Sequence, residues 1–519
     1  MIREISRRKC LRLWLCKPEY MERTKWENRF VLLRFWKKNY MMFLKDLKRF
    51  KMERLYDKLK AYSESDFYAF HMPGHKRNKT LLGIELPYDL DITEIDGFDD
   101  LHHADGILKE EQERAARVFG AEESHFLVNG STAGILSAVM GCTHRGDKIL
   151  VARHCHKSIY HAIYMNGLVP RYVYPEFDIS MHMNGEISKE DVAKALAAEP
   201  DIKAVVIVSP NYDGVVSDVK GIAEVAHSYR IPLIVDEAHG PHFGFHPAFP
   251  GRANDLGADV VINSLHKTLP SLTQTAILHI NGKLANRRRI KKYLDMLQSS
   301  SPSYIFMASL DACVDFVDGK CEEAFELYVE RLQKFREELK PLQHLQILRT
   351  EHYDISKVVI STANANITSP ELADRLRKEY HLEMEMTGGT YVLAMTTVAD
   401  TQEGLDRLKS ALLEIDDQLE AKTAVSGSIE ISGELPRLEQ YFTPQEAAER
   451  EEDGEAEEIP WKESEGHISL EYAYLYPPGS PVIVPGERIS REAVELLCYY
   501  ETQNLQIEGI QTEGKIKVW

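Results

Sequence analysis

A chain of 519 residues that is 44% hydrophobic and 28% charged has the material for a large buried core and is too long for one ordinary domain. It has no run of 18 or more uncharged apolar residues, which excludes a membrane span read from hydropathy, and its seven cysteines form no CxxC pair, which argues for a reducing cytoplasmic setting and against a disulfide framework or a zinc site. Charge is uneven: residues 1–51 carry net +11, so the other 468 residues carry −29, an acidic body that disfavours nucleic acid as a partner.

In chain order, the basic leader 1–51 comes first and holds Trp14, Trp26 and Trp36. Arg and Lys interrupt each of its apolar runs, so it does not read as a signal peptide. A basic arm for a membrane or nucleic acid is one reading. The reading adopted is a leader that is untranslated or disordered, with translation starting at Met52 or Met41. From about 120 to 285, short apolar runs alternate with helical patterns. Strands are expected at 125–128, 148–152, 203–208, 232–236, 259–263 and 276–280, and helices near 132–142, 157–166, 188–198 and 219–229. Nearly continuous apolar strands suit a sheet buried on both faces, and the alternation predicts an α/β layer with a mostly parallel sheet. Ligands of such sheets sit at the carboxyl ends of the strands. Residues 285–340 read as mainly helical, and 341–420 as a smaller α/β domain with strand-like runs at 356–361 and 391–396. The acidic stretch 446–458 reads as a charged helix end or linker, and the Pro/Gly-rich 476–487 as extended chain.

The chemistry gathers at strand ends. Ser264, Leu265, His266 and Lys267 follow the run 259–263. A lysine there can form an imine with an aldehyde cofactor if a desolvated pocket keeps its amine unprotonated; taken alone, it reads as a surface lysine. Asp236 ends the run PLIVD, and a carboxylate leaving a buried strand is costly unless paired. The pyridinium nitrogen of pyridoxal phosphate supplies such a pair; a helix cap after the strand is the alternative. Residues 129–134, Asn-Gly-Ser-Thr-Ala-Gly, have the form of an anion cradle at a helix N-terminus, although the same residues also suit a plain cap with a glycine turn. They match neither the P-loop nor the dinucleotide-binding pattern. In RHCHKS at 153–158 a histidine can stack on a planar cofactor, and no second ligand pair favours a metal.

Taken together, NGST, HCHKS, DEAHG and SLHKT occur in one order with FHMPGHK at 70–76, DITEIDGFDDLHHADG at 91–106, SSSPSY at 299–304 and YPPGSPVIVPGE at 476–487. This set resembles the Orn/Lys/Arg decarboxylase family of fold-type-I pyridoxal-phosphate enzymes, over about residues 52–519. The resemblance implies an aminotransferase-like large domain with a mostly parallel sheet, a small α/β domain and a C-terminal α+β domain. The boundaries expected are an N-terminal arm at 52–110, the large domain at 111–310, the small domain at 311–422 and the C-terminal domain at 423–519. It also implies the short bacterial form, without an N-terminal receiver-like wing domain, assembled as a homodimer or higher homo-oligomer with shared active sites. Carried over by motif, Ser131 and Thr132 bind the cofactor phosphate, His156 stacks on the ring, Asp236 pairs with the ring nitrogen, and Ala238 and His239 flank it. Ser264 and His266 assist near the phosphate, Lys267 carries the imine, and Ser303 reaches the phosphate of the neighbouring subunit. Lys267 or His266 returns a proton to the substrate.

The activity implied is decarboxylation of a basic amino acid. Arginine, giving agmatine for polyamine synthesis, is placed first; lysine and ornithine, or an aminotransferase or lyase on the same fold, are the alternatives. A cationic side chain needs a carboxylate at its far end, and Glu487, Glu94 and Asp96 are the candidates, with turn or interface roles as the competing reading.

Overall fold

The computed structural model describes residues 54–178, 183–348, 350–421, 434–475, 479–502 and 507–519. The leader 1–51 lies outside the described residues, as do the first three residues of the 476–487 motif.

Apolar runs too hydrophobic to face water on either side build the central layer. After helix α1 (Ile107–Phe119) come β1 (Glu123–Leu127), α2 (Gly130–Cys142), β2 (Lys148–Ala152), α3 (Lys157–Met165) and β3 (Val169–Val173). The alternation continues with α4 (Lys189–Ala198), β4 (Val205–Val208), α5 (Val219–Ser228), β5 (Leu233–Asp236), β6 (Val260–Asn263), the single turn α6 (Leu265–Thr268) and β7 (Ala276–Ile280). These strands form a seven-stranded sheet in the order β1-β7-β6-β5-β4-β2-β3. The pairings from β3 through β6 are parallel, and β7 runs antiparallel to both its neighbours. Every residue of β4, β5, β6 and β7 is buried, the pattern of a sheet covered on both faces. Helix α2 lies flush on the sheet because position 134 is glycine: a Cβ there would come 2.6 Å from Leu127 Cδ1.

Each expected strand and helix of this layer is present. The strand missing from the sequence reading is β3. Pro170 and Arg171 break its apolar run, and the sheet tolerates the proline because β3 is an edge.

The helical stretch resolves into α7 (Arg287–Leu297), α8 (Tyr304–Val317) and α9 (Glu322–Glu338). A second, antiparallel sheet follows, in the order β8-β9-β11-β10, made of β8 (Gln346–Ile347), β9 (Lys357–Ser361), β10 (Met386–Thr387) and β11 (Tyr391–Met395). Helices α10 (Ser369–Tyr380) and α11 (Gln402–Asp416) accompany it. A Thr368–Glu371 capping box and a proline in the first turn start α10, which fixes where the chain turns from strand to helix.

The acidic stretch forms α12 (Pro444–Glu452) and then β12 (Glu457–Pro460), so it is folded chain rather than a bare linker. After β13 (Ala473–Leu475), β14 (Pro481–Ile483) supplies the extended segment expected there, helix α13 spans Arg491–Thr502, and β15 (Lys515–Val518) pairs with β12. Among the described residues no helix is long and apolar enough to cross a membrane.

Candidate active site

The carboxyl ends of β2, β4, β5 and β6 open on one cavity of about 490 Å³, with α2 starting at its rim. Ser131, His154, His156, Asp236, Ala238, His239, His266 and Lys267 line it from the large sheet. Glu385 and Met395 line it from the second sheet's region, and Ser480 from the C-terminal part. A wider hollow of about 650 Å³ beside Glu186 and Lys220 contains none of these groups.

Asp236 is the last residue of β5 and is 3% exposed; its Oδ1 accepts a hydrogen bond from the Ala238 N–H at 3.1 Å. Burial raises its pKa, and the Lys267 amine pulls it back. Lys267 sits in α6, directly after β6, with its own pKa lowered by burial against the pull of Asp236 and Glu385. Its Nζ is 2.8 Å from His239 Nε2. One cavity thus exposes a desolvated carboxylate and a desolvated amine, two groups that hold such positions only when they serve each other or a ligand.

The cradle expected at 129–134 is the start of α2. Asn129 is the cap residue but makes no side-chain cap bond, which leaves first-turn N–H groups available to an anion. Ser264 Oγ donates to Ser131 Oγ at 2.9 Å, so two motifs distant in sequence share one hydroxyl pair. Thr132 is exposed and does not line the cavity. His156 caps α3, its Nδ1 accepting from the Ser158 N–H at 3.2 Å; burial, with Lys267 nearby, drives its pKa to about 4, so it presents a neutral ring. His266 donates from Nδ1 to the Thr275 carbonyl at 2.9 Å.

The remaining candidates stand elsewhere. Ser303 caps α8, accepting from the Phe306 N–H at 3.4 Å, and does not line the cavity of this chain. Glu94 Oε2 accepts from Ser301 Oγ at 3.4 Å, joining the 91–106 and 299–304 motifs, while Asp96 is exposed. Glu487 is fully buried, and both its oxygens are held at 2.9 Å by the Arg153 guanidinium. Arg153 also donates to the Val482 carbonyl at 2.9 Å, so this carboxylate locks the C-terminal part to the end of β2 and does not face the cavity.

Sequence reasoning missed Tyr212, Glu385, His154 and Lys357. Tyr212 donates its hydroxyl to Glu385 Oε1, and its ring lies 4.7 Å from that of His239. His154, in the same RHCHKS motif as His156, is buried with no partner for Nδ1 among the described residues, and its pKa falls to about 4 by burial. Lys357, fully buried, reaches His239 Nδ1 at 2.9 Å. The motif could have pointed to His154. Nothing local marks Glu385 or Lys357, because the fold brings them in from the second sheet.

Residues 53–371 match the family model described as Orn/Lys/Arg decarboxylase, major domain, and residues 433–514 match the C-terminal domain of the same family. The chain is 33% identical over 471 residues to an arginine decarboxylase of Bacillus subtilis, covering 88% of this chain and 95% of that one. It is 25% identical to lysine decarboxylase LdcA of Pseudomonas aeruginosa, covering 84% of this chain and 73% of that one. The fold is similar to that of the constitutive lysine decarboxylase of Escherichia coli, with a TM-score of 0.76 at 21% identity, over 95% of this chain and 84% of the other.

Proposed function

The chain belongs to the Orn/Lys/Arg decarboxylase family and is an amino-acid decarboxylase, and from that premise we propose that it converts arginine to agmatine and CO₂ with pyridoxal phosphate bound through Lys267. Two facts favour arginine over lysine. The relatives named arginine decarboxylase stand at 32–33% identity, and those named lysine decarboxylase at 23–25%.

The observation that carries the reading is Asp236 and Lys267, both desolvated, lining one cavity whose rim is an uncapped helix N-terminus and a serine pair. That donor set fits the cofactor: a carboxylate for a ring nitrogen, an amine for an aldehyde, and hydroxyl and N–H donors for a phosphate. When bound, the cofactor supplies an aldehyde for amines and a protonated ring that accepts the electron pair left by departing CO₂. The chain does the rest. Asp236 holds the proton on the ring nitrogen. Ser131 and Ser264 through their hydroxyls, and the first turn of α2 through its backbone N–H groups, that of Thr132 among them, would bind the phosphate. The neutral His156 ring would stack on the cofactor ring, with Ala238 and His239 beside it. Ile135, Val208 and Met395 form apolar wall that limits water. Lys267 or His266 delivers the proton that replaces the lost carboxylate at Cα.

Glu385 is, with Asp236, one of the two carboxylates lining the cavity, and we assign it the guanidinium of the substrate. Glu94, Asp96 and Ser303 are assigned to a site completed by a second copy of the chain, in a homodimer. The domain limits proposed remain 52–110, 111–310, 311–422 and 423–519.

The test is incubation of the purified protein with arginine, lysine and ornithine separately, scoring amine and CO₂. Agmatine with equimolar CO₂ from arginine is the expected result. A preference for lysine would replace the substrate assignment, and a keto acid without CO₂ would overturn the reaction.

A further inference from the structure

Two lysines, one lining this cavity and one fully buried, flank a single imidazole. Lys357 opens β9 and is completely buried, its stem running over Gly214, where a Cβ would come within 2.8 Å of Lys357 Cγ at a φ of +108°. Its Nζ stands 2.9 Å from His239 Nδ1, and His239 Nε2 stands 2.8 Å from Lys267 Nζ. His239 itself is 6% exposed, and burial, reinforced by both lysines, holds its pKa far below the usual value, so the ring is neutral.

A neutral imidazole has one N–H to give and one lone pair to offer, while an ammonium can only donate. Both contacts are satisfied when one lysine is charged and the other is a free amine. The surrounding groups decide which is which. Burial lowers the pKa of Lys357 from the usual 10.5 to about 8, against the pull of Asp354 from the turn before β9, of Glu385 and of Asp213 from the loop after β4, so it keeps its charge at neutral pH; it stands 5.8 Å from the Tyr212 ring. Asp354 is fully buried and stays ionised, its carboxylate accepting from Ser356 and facing His242. Lys267 is faced by Asp236, Glu385, His156, His266 and His239. Of these, Asp236 is the acid assigned to the ring nitrogen of the cofactor.

We propose that Lys357 is a positioning residue for the decarboxylase: charged, it donates to His239 Nδ1, which turns the Nε2–H toward Lys267 and holds that lysine as the free amine that captures the aldehyde. The proposal rests on the reading of Lys267 as the cofactor lysine. The Lys357 charge also disfavours a proton on Lys267 across the ring, which lowers the proton affinity of Lys267 further.

The experiment uses the full-length protein stripped of cofactor. The rate of pyridoxal-phosphate capture is followed by absorbance over a pH series, with borohydride trapping and mass-spectrometric assignment of the label. In Lys357→Met the pH midpoint of capture at residue 267 moves upward by about one unit, roughly a tenfold slower capture on the acid side of the midpoint. In Lys357→Arg the charge and the donor are retained and the midpoint stays near wild type. Lys357→Gln, neutral and polar, serves as the second uncharged variant if the methionine protein does not fold. An unmoved midpoint in the neutral variants, or an equal shift in the arginine variant, overturns the proposal. A wild-type label on a residue other than 267 overturns instead the assignment of the cofactor lysine.

Discussion

On the proposed reading Asp236→Ala removes the acid assigned to the ring nitrogen, so kcat on arginine should fall by about a hundredfold or more, the cost of losing a preorganised electrostatic partner. Steady-state kinetics on cofactor-saturated protein would check this, and near-wild-type turnover would refute the assignment. Glu385→Gln should instead raise KM for arginine by roughly tenfold to a hundredfold, the worth of one charge-assisted hydrogen bond, with a smaller effect on kcat. A KM unchanged for arginine would leave the side chain's partner elsewhere. Asp236 stood out because it ends a buried strand, where a carboxylate needs a reason to be, whereas Lys267 alone read as a surface lysine and was marked only by the motifs around it. Lys357 looked like the ordinary polar start of a strand, and Glu385 like one acid among many. Their meaning lies in their distance from His239 and Tyr212, and that distance is set by tertiary structure.

Among the elements, the apolar runs of β4 to β7 could be read directly, because strands buried on both faces leave no polar alternation to confuse them. The edge strand β3 carries a proline and an arginine and so escaped the same reading. Glu487 shows the complementary failure: a carboxylate in a Pro/Gly-rich motif looked available for a cationic substrate, yet its partner is Arg153, 334 residues earlier. That pair fastens the chain after β14 to the end of β2. With both side chains fully buried, Glu487→Ala strands a guanidinium without its counter-charge and should cost about 3–5 kcal/mol of stability. Urea denaturation of the two proteins measures it, and a loss under about 1 kcal/mol, the range of an exposed pair, would show that the bridge is not buried in solution.

For the molecule as a whole, one buried acid beside the site ties folding to pH. Glu237 accepts hydrogen bonds from the Ala253 N–H at 2.8 Å and from Asn263 Nδ2 at 3.0 Å, and burial pushes its pKa from the usual 4.5 up to about 8. Between those values the folded chain holds a proton that the unfolded chain has released, so this group's contribution to stability falls as pH rises from 4.5 to about 8. Glu237→Gln should flatten the fall, which denaturation midpoints at a series of pH values would reveal; a slope unchanged by the substitution would place the titration elsewhere.

The position of β1 has a consequence for how the enzyme is born. Its single neighbour in the sheet is β7, Glu123 lying opposite Ile280. During synthesis the first strand and the turn behind it emerge from the ribosome long before the strand that anchors them, because domains grow from the N-terminus and long-range pairings wait for their later half. The turn that opens α2 is therefore among the last parts of this layer to gain its footing. A nascent chain or proteolytic fragment that stops short of residue 276 carries Ser131 and Asp236 but lacks the strand that seats β1 in the sheet.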